Sequence, residues 1–213
     1  MKFTHALTAL GVGVLLIAGC GDRSGDAAKK SVTAPAAATP AASVPAVPVA
    51  ASAAPAQNAS IYDTVAAKGA GFTVGNMMAA RVVYVFFDAQ CPHCGHLWRA
   101  SKPVLNQVRM VWMPVRLLAD LSERQGAVLL GAADPAAEMD RHEASLNAKQ
   151  GGLTPPANIP AELAQKVKAN TALMSSIGGG AVPYLVYKNP VTGQSAAFEG
   201  ATDTDGLKKL LGL

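Results

Sequence analysis

The sequence predicts an α/β domain, and two features in the middle of the chain carry that prediction. Residues 82–87 read Val-Val-Tyr-Val-Phe-Phe, an unbroken run of β-branched and aromatic side chains that is typical of a strand covered on both faces. A helical pattern begins at Pro92, directly after the turn that ends this strand. About 155 residues, 59–213, are available for the domain, which is enough for one hydrophobic core.

The first half of this domain is predicted to run strand, helix, strand. After the strand we expect a helix over 92–108 that is bent at Pro103, because proline leaves one helical carbonyl without its donor. A second apolar strand is predicted over 110–118. Pro114 interrupts it and cannot donate to a ladder, so we expect an edge position or a bulge there.

The second half is predicted to be mainly helical until it closes on a hairpin and a helix. The expected elements, in chain order, are a helical stretch over 121–150 with a break at Asp134-Pro135, a proline-rich loop over 151–160, a helix over 162–177, strands over 184–188 and 195–199, and a helix over 203–211. This order is that of the thioredoxin fold. We therefore predict an α/β, thioredoxin-like fold with a helical insertion.

Residues 1–19 are predicted to be a signal peptide rather than part of the fold. Lys2 gives a positive start, and the apolar run from Ala6 to Ile17 is too short to span a bilayer comfortably. The run ends in Leu16-Ile17-Ala18-Gly19-Cys20, which resembles the bacterial lipoprotein box. The resemblance implies cleavage before Cys20 and lipidation of that cysteine, which would hold the chain on a membrane. An ordinary signal peptide that contains a cysteine is the alternative.

Residues 20–58 are predicted to be the lipidated cysteine and a disordered linker. From Ser31 to Asn58 the chain is mostly Ala and Pro and carries no charged residue, and its prolines recur too often for a helix. In lipoproteins of this kind, Asp directly after the cysteine implies retention in the inner membrane. Gly21 stands there, with Asp22 one place later, so we expect the outer membrane.

The charge of the chain gives little support to a nucleic-acid partner. The formal net charge is +4, and it falls to about +3 once Lys2 is removed. The basic residues are scattered, with Lys29-Lys30 and Lys208-Lys209 as the only adjacent pairs. We therefore expect no nucleic acid among the partners, whereas the predicted lipid on Cys20 implies a membrane surface.

The motif Cys91-Pro92-His93-Cys94 lies at the start of the predicted helix. Thiols at i and i+3 there are close enough to form a strained, reversible disulfide. Cys91 would lie at the helix N-terminus, where unpaired N–H groups and the helix dipole favour a thiolate, and a protonated His93 adds positive charge. Pro92 suits the first helical position. We predict Cys91 as the attacking nucleophile and Cys94 as the more buried, resolving thiol.

Other uses of this motif fit the sequence less well. Zinc would need a second ligand pair beyond Cys91, Cys94 and the nearby His93 and His96, and the remaining histidines form none. A haem attachment needs His directly after the second cysteine, where Gly95 stands. A purely structural disulfide would close too small a loop to stabilise much. The redox interpretation is favoured, with no metal and no cofactor.

Four neighbours of the motif receive structural interpretations. Asp88 is predicted to be a turn or capping carboxylate rather than a proton acceptor. Trp98 lies one turn beyond the motif and is predicted to be core. His96 is expected to face solvent, and Arg99 with Lys102 to form a solvated face.

Six segments follow one another in the order of a known family: Tyr84-Val85-Phe86-Phe87-Asp88, Cys91-Pro92-His93-Cys94, Leu97-Trp98, Pro103, Pro156-Ala157-Asn158 and Ala181-Val182-Pro183-Tyr184. On these segments the chain, from about Arg81 to its end, resembles the catalytic domain of the DsbC/DsbG-type periplasmic thiol:disulfide interchange proteins, and is nearer to DsbG. The resemblance implies that the Val182–Pro183 bond is cis, that Pro183 and Val182 present backbone groups to a substrate strand, and that Pro183 keeps metals away from the thiols.

Three departures from DsbC and DsbG point toward a monomeric oxidant. Those proteins carry an N-terminal dimerisation domain, and only residues 59–80 precede the catalytic strand here. His93 replaces the Tyr of DsbG and makes the motif DsbA-like, and Val182 replaces the Thr of the isomerases. Val85 stands where thioredoxin has a buried acid.

The function predicted from these observations is a membrane-tethered periplasmic thiol–disulfide oxidoreductase that acts on cysteines of exported proteins. A membrane redox partner of DsbB or DsbD type would recharge it. The alternatives are a DsbG-like reductase or isomerase of oxidised cysteines, and a non-catalytic lipoprotein that binds metal ions or unfolded chains.

Overall fold

The structure is a computed structural model, and it describes residues 60–213. The predicted signal peptide, Cys20 and the whole linker lie outside these residues, so those predictions stay predictions. The described elements are α1 (Ile61–Lys68), β1 (Phe72–Gly75), β2 (Val82–Asp88), α2 (Pro92–Ser101), a 3₁₀ turn (Lys102–Val104), β3 (Arg109–Val115), α3 (Asp120–Gly131), α4 (Pro135–Asn147), α5 (Ala161–Ser176), β4 (Tyr184–Lys188), β5 (Ser195–Glu199) and α6 (Thr204–Leu211).

The five described strands form one sheet in the order β1-β3-β2-β4-β5. β2 and β3 run parallel, and the other neighbours are antiparallel. β2 is therefore the central strand, with β3 on one side and β4 on the other, which explains its continuous apolar sequence. The helical insertion, α3 to α5, lies between β3 and β4 along the chain. None of the helices in 60–213 is long and apolar enough to cross a bilayer.

Two short elements, α1 and β1, come before the central strand and were not predicted. α1 begins after Ser60, whose hydroxyl accepts the Asp63 N–H at 3.1 Å. β1 pairs antiparallel with β3, and buries only Phe72 and Val74 of its four residues. Such a short alternation is too weak a pattern to separate a strand from a loop.

The helix that carries the cysteines ends at Ser101, so the prediction of one bent helix to residue 108 is wrong. Lys102–Val104 form a 3₁₀ turn that contains Pro103. Proline lacks the N–H that would continue the α-helical ladder, and it disfavours α-helical geometry in the residue before it. The chain is thereby freed to turn toward β3.

The prediction that Pro114 marks an edge strand or a bulge is also wrong, because β3 lies between two strands and its pairing is continuous. The proline rule nevertheless holds locally. β1 pairs with β3 only as far as Trp112, so Pro114 has a strand neighbour, Phe87, on one side alone. On the other side its carbonyl accepts the Asn170 side-chain amide at 3.0 Å.

An aromatic cluster attaches α2 to the sheet. Its rings meet edge to face at centroid distances of 5.0 to 6.3 Å, and the members are Phe72, Phe87, Trp98 and Trp112. Trp98 is 1% exposed, which confirms the prediction that it belongs to the core. Packing of this kind fixes the helix, and with it the two cysteines, at the carboxyl end of β2.

Candidate active site

Both cysteines of the motif lie where the strand-to-helix pattern predicts. Cys91 is the N-cap residue of α2, Pro92 is the first helical residue, and the Cys91 carbonyl accepts the Cys94 N–H at 3.0 Å. The two cysteines are buried and are free thiols in this structure. Their positions across one helical turn permit a disulfide between them.

The loop before β4 lies beside the first thiol. The Val182–Pro183 bond is cis, as the resemblance implies, and Cys91 Sγ lies 3.6 Å from the Val182 carbonyl oxygen. Glu199 holds this loop, because one of its carboxylate oxygens accepts the N–H groups of Gly180 and Ala181 at 3.1 Å each. The fold thus brings together the predicted residues Cys91, Val182 and Pro183.

The surroundings of Cys91 favour its thiolate and lower its pKa from 9.0 to about 6. The largest cause is a hydrogen bond from the Cys94 thiol, and the backbone N–H groups of Cys94 and His93 add to it, while burial opposes. The charge of His93 contributes least among these causes, and its ring is exposed. Cys91 is therefore mainly a thiolate at neutral pH.

Cys94 has the opposite environment. Its side chain is fully buried, and burial raises its pKa far above the ordinary value, with the hydrogen bond to Cys91 and the Cys91 charge adding to the effect. Cys94 thus keeps its proton while Cys91 loses one. The geometry suits the predicted division into nucleophile and resolving thiol.

Asp88 is a buried turn carboxylate, as predicted. One oxygen accepts the Gln90 N–H at 2.8 Å and the Ser122 hydroxyl at 2.5 Å. The other accepts the N–H groups of Leu117 and Leu118 at 2.8 and 2.9 Å. These four bonds tie the turn before the cysteines to the loop after β3 and to α3, so Asp88 has a structural role.

His142, which the sequence interpretation did not select, holds the same turn from α4. It is fully buried, and its Nδ1 accepts the Leu153 N–H at 3.1 Å. Its Nε2 therefore carries the hydrogen and donates to the Ala89 carbonyl at 2.6 Å. Burial lowers the pKa of His142 and keeps the ring neutral.

A pair of glutamines adds a second connection between this turn and the insertion. The Gln90 amide donates to Gln125 Oε1 at 2.5 Å, and the buried Gln125 amide donates to the carbonyls of Gly151 and Leu153 at 2.8 Å each. No local sequence signal marks these residues, because they meet only when the insertion packs on the sheet.

Sequence reasoning also missed Glu143 on α4. Its carboxyl group lies against the backbone of Gly95, where a Cβ atom would overlap Glu143 Oε2, and 3.7 Å from the Arg99 guanidinium. Burial raises the pKa of Glu143 to about 7, Arg99 opposes this, and the charges of Cys91 and Asp140 add to it. A buried acid thus adjoins the first turn of α2.

Arg99 and Lys102 are exposed, as predicted for a solvated face, and both also pair with acids of α4. Arg99 faces Glu143, and Lys102 contacts Asp140 at 2.8 Å. Asp140 also accepts the Trp98 indole N–H at 2.6 Å. His96 is also exposed, as predicted.

Two curated relatives are similar to this chain in sequence. It is 34% identical over 140 residues to the thiol:disulfide interchange protein DsbG of Pseudomonas aeruginosa, covering 65% of this chain and 54% of the relative. It is 30% identical over 118 residues to DsbG of Escherichia coli K12, covering 53% and 46%. The chain therefore spans about half the length of the curated relatives it matches. No protein-family model matches it.

Solved structures with a similar fold have lower sequence identity. The catalytic domain of Proteus mirabilis ScsC has a TM-score of 0.53 at 16% identity, covering 70% of this chain and 95% of that one. A periplasmic thioredoxin-like protein from Salmonella enterica serovar Typhimurium has a TM-score of 0.56 at 15% identity, covering 71% and 94%. Pseudomonas aeruginosa DsbA2 has a TM-score of 0.53 at 21% identity, covering 65% and 90%.

These structural similarities confirm the predicted thioredoxin-like α/β fold. The two sequence relatives confirm the resemblance stated from the motifs, since both are named DsbG. This chain thus contains a domain with a thioredoxin-like fold that is similar in sequence to thiol:disulfide interchange proteins of the DsbG type.

Proposed function

We propose that this chain is a periplasmic thiol–disulfide oxidoreductase that acts on cysteines of exported proteins through Cys91 and Cys94. The observation that carries the proposal is the contrast between the two thiols. Cys91 has a pKa lowered to about 6, whereas the fully buried Cys94 stays protonated. An exchange site needs one good nucleophile and leaving group beside a thiol that reacts only when the mixed disulfide has formed.

In the oxidising direction a substrate thiolate attacks the Cys91 sulfur of the Cys91–Cys94 disulfide. The bond to Cys94 breaks, and the Cys94 sulfur takes up a proton. A second substrate thiolate then attacks the substrate sulfur of the mixed disulfide, and Cys91 leaves as a stable thiolate. The reverse sequence, in which the Cys91 thiolate attacks a substrate disulfide, reduces the substrate.

The loop at Val182 and Pro183 is the proposed binding site for an extended strand of the substrate. Its support is the 3.6 Å distance between Cys91 Sγ and the Val182 carbonyl oxygen, which puts backbone polar groups beside the reacting sulfur. An extended peptide could pair with this backbone while its cysteine reaches Cys91. Glu199 would support the loop through its bonds to Gly180 and Ala181.

The proposed setting is the periplasmic side of a bacterial membrane, with a lipid on Cys20 and an Ala/Pro linker as the tether. Its support is the pattern Leu16-Ile17-Ala18-Gly19-Cys20 after a short apolar run. A tethered domain of this kind would reach exported proteins and a membrane redox partner of DsbB or DsbD type.

The direction we favour is oxidation, because a stable Cys91 thiolate favours the reduced form of the couple. The similarity to two DsbG proteins favours a reductase or isomerase instead. Equilibration of the Cys91–Cys94 couple against glutathione separates the two. A reduction potential near about −120 mV would support an oxidase, and one near about −270 mV a reductase.

Trapping of substrates tests whether the chain catalyses exchange at all. We expect Cys94→Ser to accumulate mixed disulfides between Cys91 and exported proteins, since the resolving thiol is gone. Cys91→Ser should form none and should fail to complement loss of the wild-type protein. Full complementation by Cys91→Ser would refute the proposal and favour the non-catalytic lipoprotein.

A further inference from the structure

Glu143 is a buried carboxyl group that the proposed exchange reaction does not use. Only 7% of its side chain is exposed, and the carboxyl group lies against Gly95, the residue that follows Cys94. Gly95 lies one turn beyond the N-cap residue Cys91, and its N–H donates to the Cys91 carbonyl at 3.3 Å. The absence of a side chain at Gly95 is what allows this acid to approach the turn that holds the thiols.

The charged groups around Glu143 do not fully compensate a carboxylate there. Arg99 on α2 is the nearest cation, but its guanidinium lies 3.7 Å away and its side chain is half exposed. Asp140, on the same helix as Glu143, adds negative charge that Lys102 partly balances. Cys91 adds a second negative charge whenever it is a thiolate.

The other titratable groups of this region face elsewhere. Cys94 stays a neutral thiol because burial raises its pKa. The His142 ring is turned to the Ala89 carbonyl and the Leu153 N–H. Asp88 uses both its oxygens on the turn and on the loop after β3. The charge on Glu143 is thus governed by burial, by Arg99, by the state of Cys91, and by Asp140.

When a substrate dithiol reduces the disulfide, the thiol pair binds only one of the two protons that the dithiol releases. The dithiol gives up two electrons and two protons as it becomes a disulfide. Cys94 takes one proton, but Cys91 remains a thiolate at neutral pH. The second proton must go to solvent or to another group.

We propose that Glu143 takes up part of this second proton when the Cys91–Cys94 pair is reduced and releases it when the pair is oxidised, while solvent takes the rest. As a step in substrate turnover this rests on the function proposed above, although the coupling itself concerns only the redox couple. Reduction creates a negative charge on Cys91 that the disulfide lacks, and that charge favours the neutral form of the nearby buried acid. The pKa of Glu143, raised to about 7, lets it exchange this proton near neutral pH.

The coupling has a signature in the pH dependence of the redox equilibrium. We expect wild type and Glu143→Gln to have the same reduced fraction against glutathione below about pH 5, where Glu143 is neutral in both redox forms. Above about pH 8 the Glu143→Gln protein should favour the reduced form on the order of tenfold more, which corresponds to one pKa unit of coupling. The experiment uses the full chain with Cys20→Ala in every protein, so that one thiol pair is titrated.

Two further variants test the position of the Glu143 carboxyl group and the effect of losing one negative charge. A methyl group in Gly95→Ala would push the flexible end of Glu143 away from α2, so this protein should shift in the same direction as Glu143→Gln. Glu162→Gln removes an exposed carboxylate in the first turn of α5 and should follow wild type at every pH. It is the matched control for loss of one negative charge.

Carbon-13 NMR of the Glu143 carboxyl group gives a direct readout. Its titration midpoint should be about 7 in the reduced protein and lower in the disulfide form. Equal midpoints in the two forms, or wild-type and Glu143→Gln curves that stay parallel at all pH values, would overturn the inference. If the curves diverge as expected but Cys94→Ser traps no substrate, the function proposed above fails and the proton coupling stands.

Discussion

The low pKa of Cys91 gives the sharpest prediction, because the free energy that the thiolate contributes to folding can be calculated at each pH. A thiol pKa lowered from 9.0 to about 6 corresponds to about 4 kcal/mol in favour of the folded thiolate. The folded pKa is depressed, so this stabilisation is complete only above about pH 9 and is lost as pH falls through about 6. At pH 7 it amounts to about 1.4 kcal/mol, or about 30 mV of reduction potential.

Titration of the thiolate absorbance measures the pKa, with the oxidised protein as the blank. We expect a midpoint at about 6 in wild type. In Cys94→Ala the midpoint should rise well toward 9.0, because the Cys94 thiol is the largest cause of the shift. His93→Ala is the matched comparison and should move the midpoint less, since the His93 charge contributes least.

Urea unfolding of the two redox forms supplies the second measurement. The stability of the reduced protein relative to the disulfide form should increase between about pH 6 and about pH 9, since the thiolate contributes only when reduced. A Cys91 midpoint near 9.0, or a stability difference that does not change over this range, would refute the reasoning. An effect of His93→Ala larger than that of Cys94→Ala would refute the assignment of its cause.

Three further predictions concern the acids and the histidine around the site. Burial lowers the pKa of His142, so as pH falls the unfolded chain binds a proton before the folded protein does. The free energy of unfolding should therefore fall below about pH 6.5, by at most about 1.4 kcal/mol per pH unit. Urea unfolding should show a smaller slope in His142→Gln, and equal slopes would contradict the prediction. Asp88→Asn should lower the free energy of unfolding by about 2–3 kcal/mol in the same assay, because an amide cannot accept all four hydrogen bonds. A loss below about 1 kcal/mol would contradict this prediction. Burial raises the pKa of Glu143, so its ionisation lowers the free energy of unfolding as pH rises from about 4.5 through about 7. Above that range Glu143→Gln should be more stable than wild type by up to about 3 kcal/mol. If the variant gains no stability, burial is not the cause of the raised pKa.

Local sequence signals were enough to predict the strand and helix that hold the cysteines. The apolar run at 82–87 and the motif at 91–94 are contiguous, so their geometry depends on neighbours in the chain. The cis bond at Val182–Pro183 came from the family resemblance, since an X–Pro bond is usually trans. At Pro114 the rule that a strand proline lacks a neighbour on one side holds, but it does not give the position of the strand in the sheet. The missing neighbour at that position depends on the length of β1, which four residues do not reveal.

The supporting residues of the site could not be predicted because tertiary packing alone brings them to it. Glu143, His142 and Gln125 lie about 30 to 50 residues beyond the cysteines, on helices whose own patterns are ordinary. In the sequence, His142 is a lone histidine and Glu143 one acid among several. Their importance appears only when α3 and α4 lie against the turn before α2.

The hydrogen bonds of His142 and Gln125 make the helical insertion and the thiol pair one cooperative unit. Opening of α3 and α4 together from the domain would release both the Gln90 side chain and the Ala89 carbonyl, and would expose the face of α2 that Glu143 covers. Amide hydrogen exchange of the turn before Cys91 should therefore follow that of α4. Any substitution that loosens the insertion then also alters the reactivity of a sulfur atom that it never touches.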